Sequence, residues 1–177
     1  MEKRLDKKSL TARGIIVFLL MICSILLAKF LLGKVVVSYG KSVPHNVFLK
    51  SKEPFRLYDY VLVKTSEKDP FTKGRILTKK ITCTEGMALK VVNLDYYCCN
   101  SPDSSFEKCV YLGKAKLFSK KGERVTPFNP CNSTNTCIYV IPEGAYFLST
   151  EHPDSYDSRY LGFFGKEDII SKIVPLF

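Results

Sequence analysis

The chain has 177 residues, and 27 lysines and arginines against 17 acidic residues give it a formal net charge of +10. This length is typical of one domain with room for one core. The basic residues are scattered among strand-like segments, without a basic helix or interleaved stacking aromatics. This pattern argues against a nucleic acid as partner and favours the anionic surface of a lipid bilayer.

The first element in chain order is an apolar stretch from Gly14 to Gly33, interrupted only by Lys29. About twenty such residues span the hydrocarbon core of a membrane. Basic residues outnumber acidic ones over residues 1–13, so the positive-inside rule predicts a cytoplasmic N-terminus followed by a transmembrane anchor over residues 14–33. A cleaved signal peptide is the alternative, disfavoured because Ala28-Lys29-Phe30 offers no small-x-small cleavage site.

Residues 34–177 are predicted to form a mainly β extracytoplasmic domain. Short strand-like segments alternate with polar turns, and no helical periodicity of useful length follows the apolar stretch. This pattern favours coiled or barrel-like antiparallel sheets. About residues 97–136 are expected to be a loop-rich, cysteine-bearing insertion. The predicted strands are Val47–Leu49, Tyr60–Val63, Arg75–Thr82, Ala88–Leu94, Cys109–Leu112, Cys137–Ile141, Ala145–Leu148 and Lys172–Leu176.

The positions of the cysteines also indicate an exported domain, since six of the seven follow the apolar stretch. An even set in an exported domain predicts disulfides formed in an oxidising compartment. Cys131 and Cys137 flank a polar loop and are the first pairing expected, although six cysteines allow many connectivities. Zinc is disfavoured because the chain has no C-x-x-C pair and because His45 and His152 stand apart.

Ser42 is the first residue that suggests chemistry. It lies between Gly40 and Pro44, in a segment expected to be bent and exposed, and only a few residues after Gly33. A serine hydroxyl is a poor nucleophile unless a base takes its proton. Considered alone, such a serine is more often an ordinary turn residue.

The base is predicted to be a lysine, because neither histidine is paired with an acid. Lys79 and Lys80 lie in a predicted strand, where neighbouring side chains point to opposite faces, so that one is buried and the other solvated. Burial lowers the pKa of a lysine, and a neutral lysine accepts a serine proton. An edge strand with two solvated lysines is the alternative.

Near the C-terminus, the segment Ser155–Gly162 concentrates hydroxyl, acidic and basic residues. Ser155, Asp157 and Arg159 alternate, so an extended chain would place them on one face, with Asp157 and Arg159 as a buried ion pair. Ser155 would then hold the neutral lysine towards the nucleophile. A polar surface loop is the alternative.

Three segments together resemble, in order, the nucleophile, base and C-terminal boxes of type I signal peptidases. The closest similarity is to the TraF-type conjugative transfer peptidases, which mature pilin precursors, because x-Pro follows the serine and Asp-Ser-Arg-Tyr lies near the end. The three segments are Ser42-Val43-Pro44, Lys79-Lys80 leading to Glu85-Gly86, and Ser155-Tyr156-Asp157-Ser158-Arg159-Tyr160-Leu161-Gly162.

The resemblance implies coiled antiparallel β-sheets, an exposed apolar surface near the site, and no metal or organic cofactor. The implied partner is an exported precursor, with small residues before the cut, processed at the periplasmic face of a bacterial inner membrane. The implied residue roles are a nucleophile at Ser42, a general base at Lys79 with Lys80 as the alternative base, a lysine-orienting hydroxyl at Ser155, and a supporting ion pair of Asp157 and Arg159.

The chain also departs from the family pattern. Ser149-Thr150-Glu151 replaces a Gly-Asp-Asn sequence, and Gly40 replaces a hydroxyl residue that assists the oxyanion in some members. Three alternatives therefore stay open: a general secretory signal peptidase I, a non-catalytic assembly factor of a secretion or conjugation apparatus, and a peptidase that cyclises its pilin product instead of hydrolysing it.

Overall fold

The computed structural model describes residues 7–40, 42–131 and 136–176, and the chain divides into two compact units, residues 1–36 and 37–177. The first unit contains helix α1 (Lys7–Leu32). Within the described ranges, no helix is long and apolar enough to cross a membrane, so the transmembrane anchor predicted over residues 14–33 is not confirmed. Strand β1 (Val35–Val37) lies where the two units join.

The second unit contains two antiparallel sheets. In the first, the strand order is β2–β11–β3–β4–β9–β10, so β4 is hydrogen-bonded on both sides, by β3 and by β9. A side chain in the middle of β4 is therefore remote from the sheet edges. The strands of this sheet are β2 (Val47–Ser51), β3 (Tyr60–Lys64), β4 (Ile76–Thr84), β9 (Ala145–Ser149), β10 (Phe164–Gly165) and β11 (Ile169–Pro175).

In the second sheet, the strand order is β7–β6–β5–β8. Its strands are β5 (Ala88–Val92), β6 (Asp95–Cys99), β7 (Val110–Lys114) and β8 (Thr136–Val140). The prediction of a mainly β domain with antiparallel sheets is confirmed. The other described elements are helix α2 (Ser158–Leu161) and two 3₁₀ turns, Phe106–Lys108 and Lys166–Asp168.

Two clusters of buried apolar side chains hold this unit together, and strands β4 and β9 contribute to both. Ile81 and Leu148 pack in one cluster, while Cys83 and Phe147 pack in the other. The β4–β9 register shifts between Ile81 and Cys83. A bulge of this kind bends a strand and re-aims its side chains. Strand β4 therefore passes from one core to the other a short distance after its lysine pair.

Three disulfides lie in the second unit: Cys83–Cys98, Cys99–Cys109 and Cys131–Cys137. The expected pairing of Cys131 with Cys137 is confirmed. Cys83–Cys98 joins β4 to β6 and so links the two sheets covalently. The structure differs from the predicted loop-rich insertion, because residues 97–136 contain all of β7 and part of β6, and thus help to form the second sheet.

Candidate active site

Two adjacent lysines in the middle of β4 face opposite sides of the first sheet. Lys79 pairs in register with Val61 and is 4% exposed, whereas Lys80 pairs with Tyr60 and keeps 27% of its side chain exposed. Alternation along a strand requires this difference, because consecutive side chains point to opposite faces. The two candidate bases therefore lie in different surroundings.

The amino group of Lys79 contacts a hydroxyl group inside the protein. Lys79 Nζ donates a hydrogen bond to Ser155 Oγ at 2.7 Å. Burial lowers the pKa of Lys79 from 10.5 to about 8, against an opposing effect of the Asp157 charge and with a further lowering by Arg159. At pH 7, roughly a tenth of the molecules then carry a neutral Lys79. A neutral amine in this position can accept a proton from a nucleophile.

A buried ion pair lies directly after Ser155 in the chain. Arg159 donates to Asp157 through Nε at 2.9 Å and through Nη2 at 2.8 Å, and both residues are almost fully buried. Asp157 also caps helix α2, because its Oδ1 accepts from the Arg159 amide at 3.2 Å. The expected ion pair is present, but the expected extended backbone is wrong at Arg159, which lies in the first turn of α2.

The same segment contacts both sheets through residues that the sequence did not single out. The Leu148 amide of β9 donates to Ser158 Oγ at 2.8 Å, and the Tyr96 hydroxyl of β6 donates to the Arg159 carbonyl at 3.1 Å. Arg159 Nη2 donates to the His152 carbonyl at 3.1 Å. These bonds fix the backbone on both sides of Ser155, so the position of the hydroxyl beside Lys79 is determined by the fold.

Ser42 lies between two cavities of a surface cleft. The larger cavity, of about 390 Å³, is lined by Ser42 together with Asp154 and Tyr156, the two neighbours of Ser155. The smaller cavity, of about 10 Å³, is lined by Ser42 together with Lys80, the neighbour of Lys79. Ser42 therefore shares these cavities with residues that flank Lys79 and Ser155 in the chain.

Within the described part of the chain, the structure shows no hydrogen bond between Ser42 and Lys79. Lys79 and Ser155 are buried, and neither lines the two cavities that Ser42 borders. Catalytic hydrogen bonds are often long or poorly aligned in an enzyme without substrate and tighten when substrate binds. The structure thus brings Lys79, Ser155, Asp157 and Arg159 into one connected group, with Ser42 on the adjoining cleft.

Lys80 lies beside a carboxylate and two aromatic rings. Its Nζ lies 3.9 Å from Glu151 Oε1 and within 5.8 Å of the ring centres of Tyr58 and Tyr60. Its surroundings therefore differ from those of Lys79, whose amino group is buried against Ser155 Oγ.

His152 lines the larger cavity together with Ser42, which raises the question of a histidine base. The Asp154 amide donates to His152 Nδ1 at 3.2 Å, so a neutral ring carries its proton on Nε2. A base in a Ser-His-Asp triad needs the opposite tautomer, with Nδ1 protonated towards the acid. Among the described residues, no group of three His, Cys, Asp or Glu side chains could hold a metal ion.

A buried lysine of lowered pKa, its hydroxyl partner and a serine on the adjoining cleft fit a serine peptidase whose base is a lysine. The sequence matches the family described as "Signal peptidase, peptidase S26" over residues 10–177, and the chain belongs to this family. It is therefore a serine-type signal peptidase, an enzyme that cleaves exported precursor proteins.

The chain is also similar to a solved structure, a signal peptidase I from Enterococcus faecalis V583. The sequence identity is 19% and the TM-score is 0.41, over 70% of this chain and 100% of that chain. No curated protein matches this chain.

Proposed function

We propose that Ser42 is the nucleophile and Lys79 the general base of a peptidase that processes exported precursors. The observation that carries this assignment is the hydrogen bond from buried Lys79 to Ser155, in surroundings that lower the pKa of Lys79 to about 8. Ser42 is the only serine that borders both the cavity beside Lys80 and the cavity beside Tyr156, among the described residues.

The reaction then proceeds through an acyl-enzyme. Ser42 Oγ attacks the scissile carbonyl carbon, its proton passes to neutral Lys79, and the carbonyl electron pair moves to oxygen. When the intermediate collapses, the carbon–nitrogen bond breaks and Lys79 gives the proton to the leaving amine. Water then attacks the acyl-enzyme, with Lys79 again accepting a proton. Ser155 keeps the lysine amine in place during these transfers, and Asp157 and Arg159 fix the backbone around Ser155.

The substrate is an exported precursor with small residues before the cut, bound as an extended strand along the cleft. We propose a conjugative pilin precursor, because Val43-Pro44 follows the nucleophile and Asp157-Ser158-Arg159-Tyr160 lies in the C-terminal segment. Attack on the acyl-enzyme by the pilin's own amine would cyclise the product, and all steps before that attack are the same as in hydrolysis.

We propose that the enzyme acts in the periplasm of a bacterium, at the outer face of the inner membrane. Three disulfides support an oxidising compartment for residues 37–177. Disulfides persist in the bacterial periplasm and are rare in the cytosol. The net charge of +10 supports contact with an anionic lipid surface.

The direct test compares the full-length wild-type protein with Ser42→Ala, Lys79→Ala and Lys80→Ala, using a pilin precursor and a general secretory precursor as substrates. We expect the first two variants to lose cleavage and Lys80→Ala to retain it. Unaltered cleavage by either Ser42→Ala or Lys79→Ala would falsify the assignment. Preference for the secretory precursor would favour a general secretory peptidase.

A second measurement separates an enzyme from a non-catalytic assembly factor. A serine-reactive lipopeptide inhibitor should acylate the wild-type protein at Ser42, detected by mass spectrometry of the modified peptide. An assembly factor without turnover would not be acylated. Mass spectrometry of the mature pilin distinguishes a linear product from a cyclic one, since cyclisation removes one water.

A further inference from the structure

Thr150 carries a buried hydroxyl group without a partner. It directly follows strand β9, is 6% exposed, and its Oγ1 forms no hydrogen bond within the described residues. An unsatisfied buried polar group destabilises a folded protein, because it has lost its hydrogen bonds to water without gaining others. Such a group in a native structure calls for an explanation, and one explanation is a ligand that supplies the missing partner.

Thr150 lies at the cleft that contains Ser42. It lines the small cavity beside Ser42, and it also lines a larger neighbouring cavity of about 300 Å³ together with Tyr58 and Thr82. The small cavity has a volume of about 10 Å³. A volume of about 10–15 Å³ is what one water molecule requires, so the cavity beside Ser42 has the size of a single oxygen atom.

The backbone that carries Thr150 is fixed before substrate binds. The preceding residue, Ser149, pairs in register with Lys80 of β4. The Ser149 side chain also shares a hydrogen bond of 2.8 Å with Thr82 Oγ1. Because Thr150 follows this fixed residue directly, its backbone needs little reorganisation when charge develops next to it, and a donor that needs little reorganisation is catalytically effective.

The small cavity is lined by a cationic and an anionic side chain, Lys80 and Glu151, as well as by Thr150. Glu151 has 83% of its side chain exposed and Lys80 only 27%, so solvent screens the charge of Glu151 more strongly than that of Lys80. Burial, with a smaller contribution from Glu151, raises the pKa of Tyr60, so the Tyr60 hydroxyl keeps its proton. Gly40 has no side chain to act as a donor, although a Cβ there would lie 3.6 Å from Ser42 Oγ.

We propose that the Thr150 hydroxyl is an oxyanion donor of this peptidase, and that the small cavity beside Ser42 receives the scissile carbonyl oxygen. This inference rests on the proposed role of Ser42. When Ser42 Oγ bonds to the carbonyl carbon and its proton passes to Lys79, the carbonyl electron pair moves to oxygen. The resulting oxyanion accepts the hydrogen bond that Thr150 Oγ1 does not make in the free enzyme, and releases it when the carbon–nitrogen bond breaks.

The test replaces the hydroxyl by a methyl group of the same shape. Thr150→Val in the full-length protein should lower kcat by about 100-fold, with little change in KM, because an oxyanion donor acts mainly in the transition state. Thr150→Ser keeps the hydroxyl and should keep most of kcat. The melting temperature of Thr150→Val should be unchanged or higher, since the variant removes an unpartnered polar group.

Ser171 offers a matched control. Its Oγ is the other buried side-chain atom without a partner among the described residues, and Ser171 lines neither cavity beside Ser42. Ser171→Ala should therefore leave both kcat and KM unchanged.

Several outcomes would overturn the inference. Wild-type kcat in Thr150→Val would do so, as would an effect confined to KM or an equal loss of kcat in Thr150→Ser. If Ser42→Ala cleaves normally, the proposed nucleophile is wrong. If Ser42→Ala is inactive and Thr150→Val is fully active, the nucleophile stands and only the role of Thr150 fails.

Discussion

Lys79 and Lys80 are identical in chemistry and adjacent on strand β4, yet the fold gives them opposite surroundings. Lys79 is buried against Ser155 Oγ at 2.7 Å, whereas Lys80 faces the cleft with Glu151 at 3.9 Å. The first environment disfavours positive charge on the lysine, whereas the second places the lysine beside a carboxylate and solvent. Strand alternation thus gives one dipeptide a buried candidate proton acceptor and a partly exposed lysine that lines the cavity beside Ser42, the proposed nucleophile.

The burial of Lys79 also affects stability. Its pKa in the folded state, about 8, is lower than its ordinary value of 10.5, so the unfolded chain binds more protons between these pH values. The free energy of unfolding therefore rises with pH between about pH 8 and pH 10.5. Below pH 8, the full energetic cost of burying the charged form of Lys79 is present. That cost is roughly 3 kcal/mol. The folded protein tolerates this cost at the position where the proposed mechanism requires a neutral amine.

The largest expected effect belongs to Lys79→Met. Because this variant removes the proposed proton acceptor, we expect cleavage of a precursor to fall by about 10⁴-fold or more. Methionine fills a similar volume without a charge, so the free energy of unfolding at pH 7 should rise by up to about 3 kcal/mol. Steady-state cleavage and denaturant unfolding, measured on the same preparation, check both parts.

Lys80→Met is the matched control for that variant. It removes the same amino group from the opposite face of β4, and its turnover should stay within about tenfold of wild type, because the proposed mechanism gives Lys80 no proton-transfer step. A comparable loss of turnover in both variants, or a greater loss in Lys80→Met, would reverse the roles assigned to the two faces.

The next largest effect is expected on stability, from breaking the buried ion pair of Asp157 and Arg159. Asp157→Asn leaves the Arg159 guanidinium buried without its counter-ion, and Arg159 is 1% exposed. Breaking a buried pair in this way lowers the free energy of unfolding by about 3–5 kcal/mol. Glu67→Gln is the control, because its 3.2 Å pair with Lys64 is exposed and should contribute less than about 1 kcal/mol. Similar losses in both variants would contradict the prediction.

The sequence predicted the buried side of β4 better than the cleft side. Side chains alternate between the two faces of any strand, so the sequence Lys79-Lys80 alone predicts that the two lysines lie on opposite faces of β4. The same alternation gave a wrong prediction at Arg159, because the backbone there is helical. Asp157 is the N-cap of this short helix and Gly162 is its C-cap. An N-cap acid followed by a C-terminal glycine was the signal that could have identified this helix.

A local sequence pattern could not predict the contacts between segments that are distant in the chain. The β5–β6 turn was missed because Asn93 and Leu94 both have positive φ, and leucine rarely adopts this conformation. The predicted strand Ala88–Leu94 therefore runs two residues too far. The unpartnered state of the Thr150 hydroxyl depends on every side chain around it, so it is visible only in three dimensions.

The pH dependence of cleavage should show which of the two lysines is the base, through an effect of intermediate size. In the proposed mechanism Lys79 acts as a base only when neutral, and its pKa is lowered to about 8. The rate constant kcat/KM should therefore fall about 50-fold from pH 8 to pH 6 and level off above pH 8. The profile is measured with a neutral peptide substrate at constant ionic strength, and Lys80→Met should show the same inflection.

Two results would contradict that profile. A rate that is constant from pH 6 to pH 9 would exclude the titration of Lys79 as the controlling step. An inflection that disappears in His152→Gln would assign the base to His152, which lines the larger cavity beside Ser42.

The smallest effect is expected at Glu151, on the cleft side of β4. Its carboxylate lies 3.9 Å from Lys80 Nζ, and 83% of its side chain is exposed, so solvent and salt screen the pair. Glu151→Gln should change kcat by less than about threefold and the free energy of unfolding by less than about 1 kcal/mol. A cycle with Lys80→Met, measured at low and high salt, gives the coupling between the two side chains. A coupling that is large and independent of salt would mean that the cleft side is organised as tightly as the buried side, and the contrast between Lys79 and Lys80 would then no longer explain which of them takes the proton.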